Sequence, residues 1–255
     1  MYKGHSLAVV MPIHNEQDHL ARAIARVPDF VDWIIAVDDG SADDTWSRLS
    51  VVDDARLIRL RHSRNLGVGA ATKTGYRHCL ETGANFIAVM DGDGQMHPDD
   101  LPRLLDRAID GADYVKGNRF LHKESLASMP ASRYAGNSIL SWLTTRAAGF
   151  GGGLDAQCGY TAIRRGALQS LNLEELYDRY GFPNEMFFAA CRAGLTVGCV
   201  PVRTVYRDEV SGINPLTAVP VILYLIARSY LRRAFPPATP AALLELRGRE
   251  SEPTN

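Results

Sequence analysis

The chain of 255 residues is poor in cysteine, in net charge and in long apolar runs, and each shortage argues against a class of protein. Its four cysteines, Cys79, Cys158, Cys191 and Cys199, form no CxxC pair and share no metal-ligand spacing with the seven histidines. That pattern argues against a disulfide framework or a zinc site and points to a reducing cytosol. With 28 basic and 29 acidic residues, the net charge of -1 leaves no electrostatic footprint for nucleic acid. The apolar run in MYKGHSLAVVMPIHNE is too short for a signal peptide. Near the other end, NPLTAVPVILYLIARSYLRRAF (214 to 235) holds about thirteen mostly apolar residues, against roughly 20 for a bilayer span. Neither GxGxxG nor GxxxxGK[ST] occurs, so phosphates bound here must be neutralised by a metal and by basic side chains.

What is present is a rhythm. LAVVMPI, WIIAVDD, RLIRL and FIAVMD alternate with helical patterns from about Glu16, over about Asp43 to Leu49, about Gly67 to Glu81 and Pro98 to Ile109. Strict alternation implies βαβ units and a parallel sheet. Ligands of such sheets bind beyond the carboxyl ends of the strands. His14-Asn15-Glu16, Asp38-Asp39-Gly40-Ser41, Arg64-Asn65 and Asp91-Gly92-Asp93 all fall at strand ends, so four polar clusters are expected on one rim. Beyond residue 113 the rhythm loosens: Arg133 to Ala148 and about Pro183 to Ala193 read as helices, TVGCVPVRTVY as a strand. No linker separates the halves, so this part is expected to extend the same sheet.

The stretch FIAVMDGDGQMHP drives an apolar strand into two carboxylates. The segment reads as extended, and its period of two puts Asp91 and Asp93 on one side, where they repel unless a cation sits nearby. Oxygen ligands with a partly open shell suit Mg²⁺ or Mn²⁺, which complete their shells with substrate phosphates. Gln95 adds a neutral oxygen. The bland alternative is a polar turn leading into a helix, which accounts for Pro98 and Asp99 but not for the acid pair. Asp38 and Asp39 could accept hydrogen bonds from a nucleobase or ribose, whereas Ser41 or Asp43 could merely cap the next helix. Arg64, Lys73 and Arg77 read as a solvated face.

In their order and spacing, VVMPIHNE, AVDDGSADDT, RNLGVGAATKTGY and VMDGDGQMHPDDL resemble the nucleotide-binding half of the family 2 glycosyltransferases. The resemblance continues through YVKGNRF, DAQCGYTAIRR and VPVRTVYRDEVSG to about residue 212, and is nearest the branch that makes dolichyl-phosphate or polyprenyl-phosphate sugars. It implies a single Rossmann-like α/β domain of GT-A type over residues 1–212; by their own composition, residues 213–235 read as an amphipathic helix and 236–255 as a disordered tail. It further implies that Pro12, His14, Glu16 and Asp39 hold the nucleoside of a nucleotide sugar. Asp91, Asp93 and Gln95 would form the metal and diphosphate site, with Asp93 and Gln95 toward the metal and Asp91 toward the sugar. Arg119 and Arg207 would be phosphate contacts.

A polyprenyl phosphate acceptor is already an anion and needs no strong base, whereas a hydroxyl acceptor does. Glu185 is the candidate base for the second case; otherwise it is a first-turn acid favoured by the helix dipole. Relatives of this kind invert the anomeric centre. A non-catalytic nucleotide-sugar binder would gain little from the acid pair. The arginine-tipped C-terminal helix has two readings, packing on the domain or lying at the inner face of the membrane, by lipid contact or through a membrane-protein partner.

Overall fold

The computed structural model describes residues 1–204 and 215–234. Strands β1 (Leu7–Ile13), β2 (Trp33–Asp38), β3 (Leu57–Arg61), β4 (Phe86–Val89), β5 (Tyr114–Asn118), β6 (Thr161–Arg164) and β7 (Val197–Pro201) form one sheet in the order β3-β2-β1-β4-β6-β5-β7. All neighbours pair in parallel except β6, which runs antiparallel between β4 and β5. The helices are α1 (Leu20–Ala25), α2 (Thr45–Ser50), α3 (Val68–Thr82), α4 (Leu101–Ile109), α5 (Lys123–Ser128), α6 (Ala131–Ala148), α7 (Arg165–Gln169), α8 (Phe182–Arg192) and α9 (Pro215–Ala234). The single α/β domain with a mostly parallel sheet is thus as expected, and the second half extends the sheet.

β1 is buried along its whole length because both faces of the sheet are covered. Alternate residues feed opposite cores. Leu7, Val9, Met11 and Ile13 pack with Leu20 and Ile24 of α1 and Leu101, Leu104 and Leu105 of α4. Ala8 and Val10 join Tyr76 of α3, Phe187 and Phe188 of α8, and Ile222 and Ile226 of α9 on the other side. The chain leaves β1 toward β2 and β3, then returns to place β4 on the opposite flank. The strand order therefore reverses between β1 and β4, and the crevice beyond that point is where such a sheet holds a ligand.

Several boundaries differ from the sequence reading for identifiable reasons. The first helix starts at Leu20 and not near Glu16, because Glu16 N donates to Thr45 Oγ1 (2.8 Å) and Gln17 N to Asp43 Oδ2 (3.4 Å). Those residues are tied to the neighbouring loop. The last strand stops at Pro201, and Arg203 then turns onto the buried Asp100, its N donating to Oδ2 at 2.6 Å and its guanidinium to Oδ1 at 3.0 Å. Lys73 is not on a solvated face: it is buried, donates to Leu176 O (3.1 Å) and pairs with Asp178 (2.5 Å).

α3 rides directly on β1 through Gly75, where an added Cβ would come within 2.3 Å of Val10 Cγ1. Gly75→Ala is expected to destabilise the protein by about 1–3 kcal/mol through overpacking. Thermal or urea unfolding measures this, and Val10→Ala in the same chain should restore part of the loss.

Candidate active site

A cleft of about 840 Å³ opens at the reversal point, lined among others by Pro12, His14, Glu16, Asp39, Asn65, Asp91, Asp93, Gln95 and Arg119. All four expected polar clusters contribute to this rim. Its floor is laced by side chains that join one loop to the next. Asn15 adopts a left-handed conformation (φ 56°), and its N donates to Ser41 Oγ (2.9 Å) while its Oδ1 accepts from Ala42 N (2.9 Å). The loops after β1 and β2 are thereby bound together.

Asp39 extends the lacing to a third loop. Its Oδ1 accepts from Leu66 N (2.9 Å) and meets His62 Nδ1 at 2.7 Å, and its Oδ2 accepts from Gly67 N (2.7 Å). Gly40 is required here: it has φ +64°, and a Cβ would lie 2.3 Å from the carbonyl carbon of Arg64. His14 Nδ1 lies 2.9 Å from Asp39 O and its Nε2 2.9 Å from Asn65 Nδ2, which fixes the orientation of the ring at the cleft mouth. Asp38 differs from the expectation. It is fully buried, accepts from Ser41 N (3.1 Å) and pairs with Arg61 (3.0 Å), so it secures the turn and does not line the cleft.

The acid pair is brought together by a turn, not by strand alternation. β4 ends at Val89, Asp93 Oδ1 accepts from Gln95 N (2.8 Å), and Gly94 takes φ +72°. Asp91 N donates to Met96 Sδ (3.3 Å), and Gly159 stands across from the Asp91 carboxylate, where a Cβ would be 3.4 Å from Oδ2. Burial, reinforced by the nearby charges of Asp93 and Glu16 and opposed by Arg119, pushes the Asp91 carboxyl up to about 8.

Such a carboxyl is in deficit of positive charge, and a divalent cation fits that deficit. Among the described residues no three His, Cys, Asp or Glu side chains converge as a complete metal site. Asp91, Asp93 and Gln95 could offer oxygens to an ion that also takes oxygens from its substrate, as Mg²⁺ and Mn²⁺ do.

Arg119 lines the same cleft, and its guanidinium forks onto the buried Asp155, Nε to Oδ2 at 2.5 Å and Nη2 to Oδ1 at 2.9 Å. Behind it, Lys116 Nζ donates to Cys158 O (2.8 Å), and burial pulls its ammonium down to about 8. Tyr160 both touches the cleft and is buried, with its hydroxyl donating to His97 O (3.3 Å). Glu185 is not among the cleft residues. It is buried in α8 and bonded to Arg228 of α9, and burial still raises its carboxyl. Arg207 lies outside the described residues. The sequence reading missed Arg133, Asn137, Asp155 and Tyr180, of which Arg133, Asn137 and Tyr180 line the cleft. No short motif carries Arg133, Asn137 or Tyr180, whereas Asp155 opens the DAQCGYTAIRR segment without having been singled out there.

Residues 8–171 match the profile of Glycosyl transferase family 2. Over 216 residues the chain is 30% identical to a UDP-N-acetylglucosamine–dolichyl-phosphate N-acetylglucosaminyltransferase of Methanococcus voltae, covering 78% of this chain and 86% of that protein. It is 31% identical over 207 residues to an undecaprenyl-phosphate mannosyltransferase of Micrococcus luteus, covering 78% and 83%. Among solved structures, glucosyl-3-phosphoglycerate synthase of Mycobacterium tuberculosis, crystallised with Mn²⁺ and UDP, superposes with a TM-score of 0.66 at 21% identity, covering 92% of this chain and 81% of that one. The likeness establishes the GT-A fold.

In the metal-free protein, the raised Asp91 carboxyl contributes stability that is complete below its unfolded value near 4 and lost as pH rises through about 8. Asp91→Asn cannot ionise and escapes the loss. With a chelator present, its melting temperature should exceed that of the natural protein by about 2–6 °C at pH 8 and by much less at pH 5. Thermal unfolding across that range measures the difference.

Proposed function

The chain belongs to glycosyl transferase family 2, and from that we propose that it transfers a hexose from a nucleotide sugar of the GDP-mannose or UDP-glucose type to a polyprenyl phosphate, with inversion. The reading is supported by the two lipid-phosphate transferases that it resembles over more than three quarters of its length. The observation that carries the chemistry is the concentration of carboxylates at the reversal point of the sheet.

Pro12, His14, Glu16 and Asp39 would hold the nucleoside against the rigid rim. Asp91, Asp93 and Gln95 would bind Mg²⁺ or Mn²⁺ together with the donor's diphosphate. The bound ion supplies positive charge where the leaving diphosphate gains negative charge. Arg119, fixed by Asp155, and Arg133 bring cations to the same cleft for the phosphates of donor or acceptor; Arg207 is a further candidate. An acceptor phosphate oxygen attacks the anomeric carbon as the bond to the diphosphate breaks on the opposite face. The acceptor oxygen already carries charge, so no side chain has to take its proton.

The position of Glu185 favours this acceptor over a hydroxyl, because its partner is Arg228 and not the cleft. A hydroxyl acceptor with Glu185 as base remains the second reading. The place of action would be the cytoplasmic face of the membrane, where such acceptors present their phosphates.

The test supplies labelled nucleotide sugars, Mn²⁺ and a detergent-dispersed polyprenyl phosphate. Label should enter the organic extract with one donor, and Asp93→Asn should lower the rate by about 10²-fold or more. No labelled lipid with any common donor, in a preparation where a known lipid-phosphate transferase works, would overturn the reading. Glu185→Gln should lower the melting temperature by leaving Arg228 without its ionic partner, yet keep turnover within about tenfold. A collapse in turnover with intact donor binding would favour the hydroxyl acceptor.

A further inference from the structure

Helix α6 separates two environments. Arg133 and Asn137 line the cleft, whereas Ile139 and Trp142, on the far side of the helix, are 60% and 58% exposed. α9 lies against α6 and α8 and buries Ala218, Ile222, Leu225 and Ile226 there. Its other face presents Leu223, Tyr224, Tyr230 and Leu231 to solvent. The last turns of the two helices meet, with Arg233 Nη1 donating to Arg146 O (3.4 Å), so the exposed stripes belong to one helix pair.

The charge of this pair is one-sided. In a chain where acids slightly outnumber bases, neither α6 nor α9 contains a single Asp or Glu, while together they carry Arg133, Arg146, Arg228, Arg232 and Arg233. Arg228 is committed to Glu185; Arg146, Arg232 and Arg233 are exposed. The Arg146 guanidinium lies 5.8 Å from the centre of the Trp142 ring. Aromatic rings beside arginines, with aliphatic side chains between them, match the boundary between lipid headgroups and acyl chains. A two-fold contact between copies of this face would set arginines against arginines with no acid to answer them.

We propose that the exposed face of α6 and α9 rests on an anionic lipid bilayer, with Ile139, Trp142 and the exposed apolar residues of α9 at the headgroup boundary and the arginines on lipid phosphates. The proposal rests on the polyprenyl-phosphate reading in one respect: α6 is then the wall between the membrane and the cleft, so an acceptor need lift only its phosphate end past this helix. No helix among the described residues is long and apolar enough to cross a membrane, so surface contact is the mode that this face offers.

Co-sedimentation of the full chain with vesicles of phosphatidylcholine, alone or mixed with phosphatidylglycerol, tests it. Binding should require the anionic lipid and weaken strongly between about 0.05 M and about 0.5 M salt. Ile139→Glu with Trp142→Glu, and separately Arg232→Glu, should each reduce vesicle binding, the first about tenfold or more and the second several-fold, without lowering the melting temperature. Turnover of a short-chain, water-soluble polyprenyl phosphate should persist in the first variant. Equal binding by natural and variant proteins would overturn the proposal. So would self-association in solution, or capture by a membrane protein in place of lipid, that the same substitutions abolish. Vesicle binding without transfer to any lipid supports the face and counts against the proposed reaction; transfer to the short acceptor without vesicle binding does the reverse.

Discussion

The molecule is organised around an unfavourable electrostatic situation: Asp91 sits partly buried at the end of the central strand with Asp93 and Glu16 close enough to resist its ionisation. Carboxylates are not concentrated in this way without cost, and the surrounding structure is what keeps them there. Asn15 and Ser41 join the first loop to the second, Thr45 holds Glu16, and Asp39 ties in the third through Leu66 and Gly67. Backbone donors anchored on a doubly covered parallel sheet give these loops little freedom to relax apart. Charge is thus stored in a rigid frame, which would suit the proposed meeting of a cation and a diphosphate.

The same frame separates two kinds of acid. Asp38, Asp100 and Asp155 are tied to backbone amides or arginine and do structural work, while Asp39 is held in the cleft wall by two backbone amides and His62. Asp91 has neighbours of its own sign. In the proposed reading, that contrast, and not the number of acids on the rim, marks the chemical centre. The Arg119–Asp155 fork and the Arg228–Glu185 pair extend the logic outward, one fixing a cation inside the cleft and the other fastening α9 to α8.

Much of this was legible in the sequence, because apolar runs of β-branched residues mark buried strands and a parallel sheet dictates where its loops converge. The positions of His14, Glu16, Asp39, Asp91, Asp93 and Gln95 on one rim follow from those two facts. Strand alternation was the wrong reason for pairing Asp91 with Asp93, since β4 ends at Val89 and residues 92 and 93 form a turn. Asp38 and Asp39 are indistinguishable as adjacent letters; only the fold shows that one is sealed beneath the turn by Arg61. Lys73 was misplaced because its partner, Asp178, lies 105 residues away; Glu185 is the first-turn acid of α8 that the sequence allowed, but its partner Arg228, 43 residues away, could not be foreseen, since no local pattern encodes such pairs. Arg133 and Asn137 sit in a helix whose polar and apolar residues show no sharp periodicity, so its two-sided role appears only once α9 covers part of it.

The central claim is that the acid cluster binds donor and cation as one unit. Calorimetric titration of the nucleoside diphosphate, with Mn²⁺ and with a chelator, tests it most directly. The account predicts that Mn²⁺ tightens nucleotide binding by at least about tenfold, that the nucleotide tightens Mn²⁺ binding by the same factor, and that Asp93→Asn removes the coupling. Equal nucleotide affinity with and without the metal in the natural protein would contradict it.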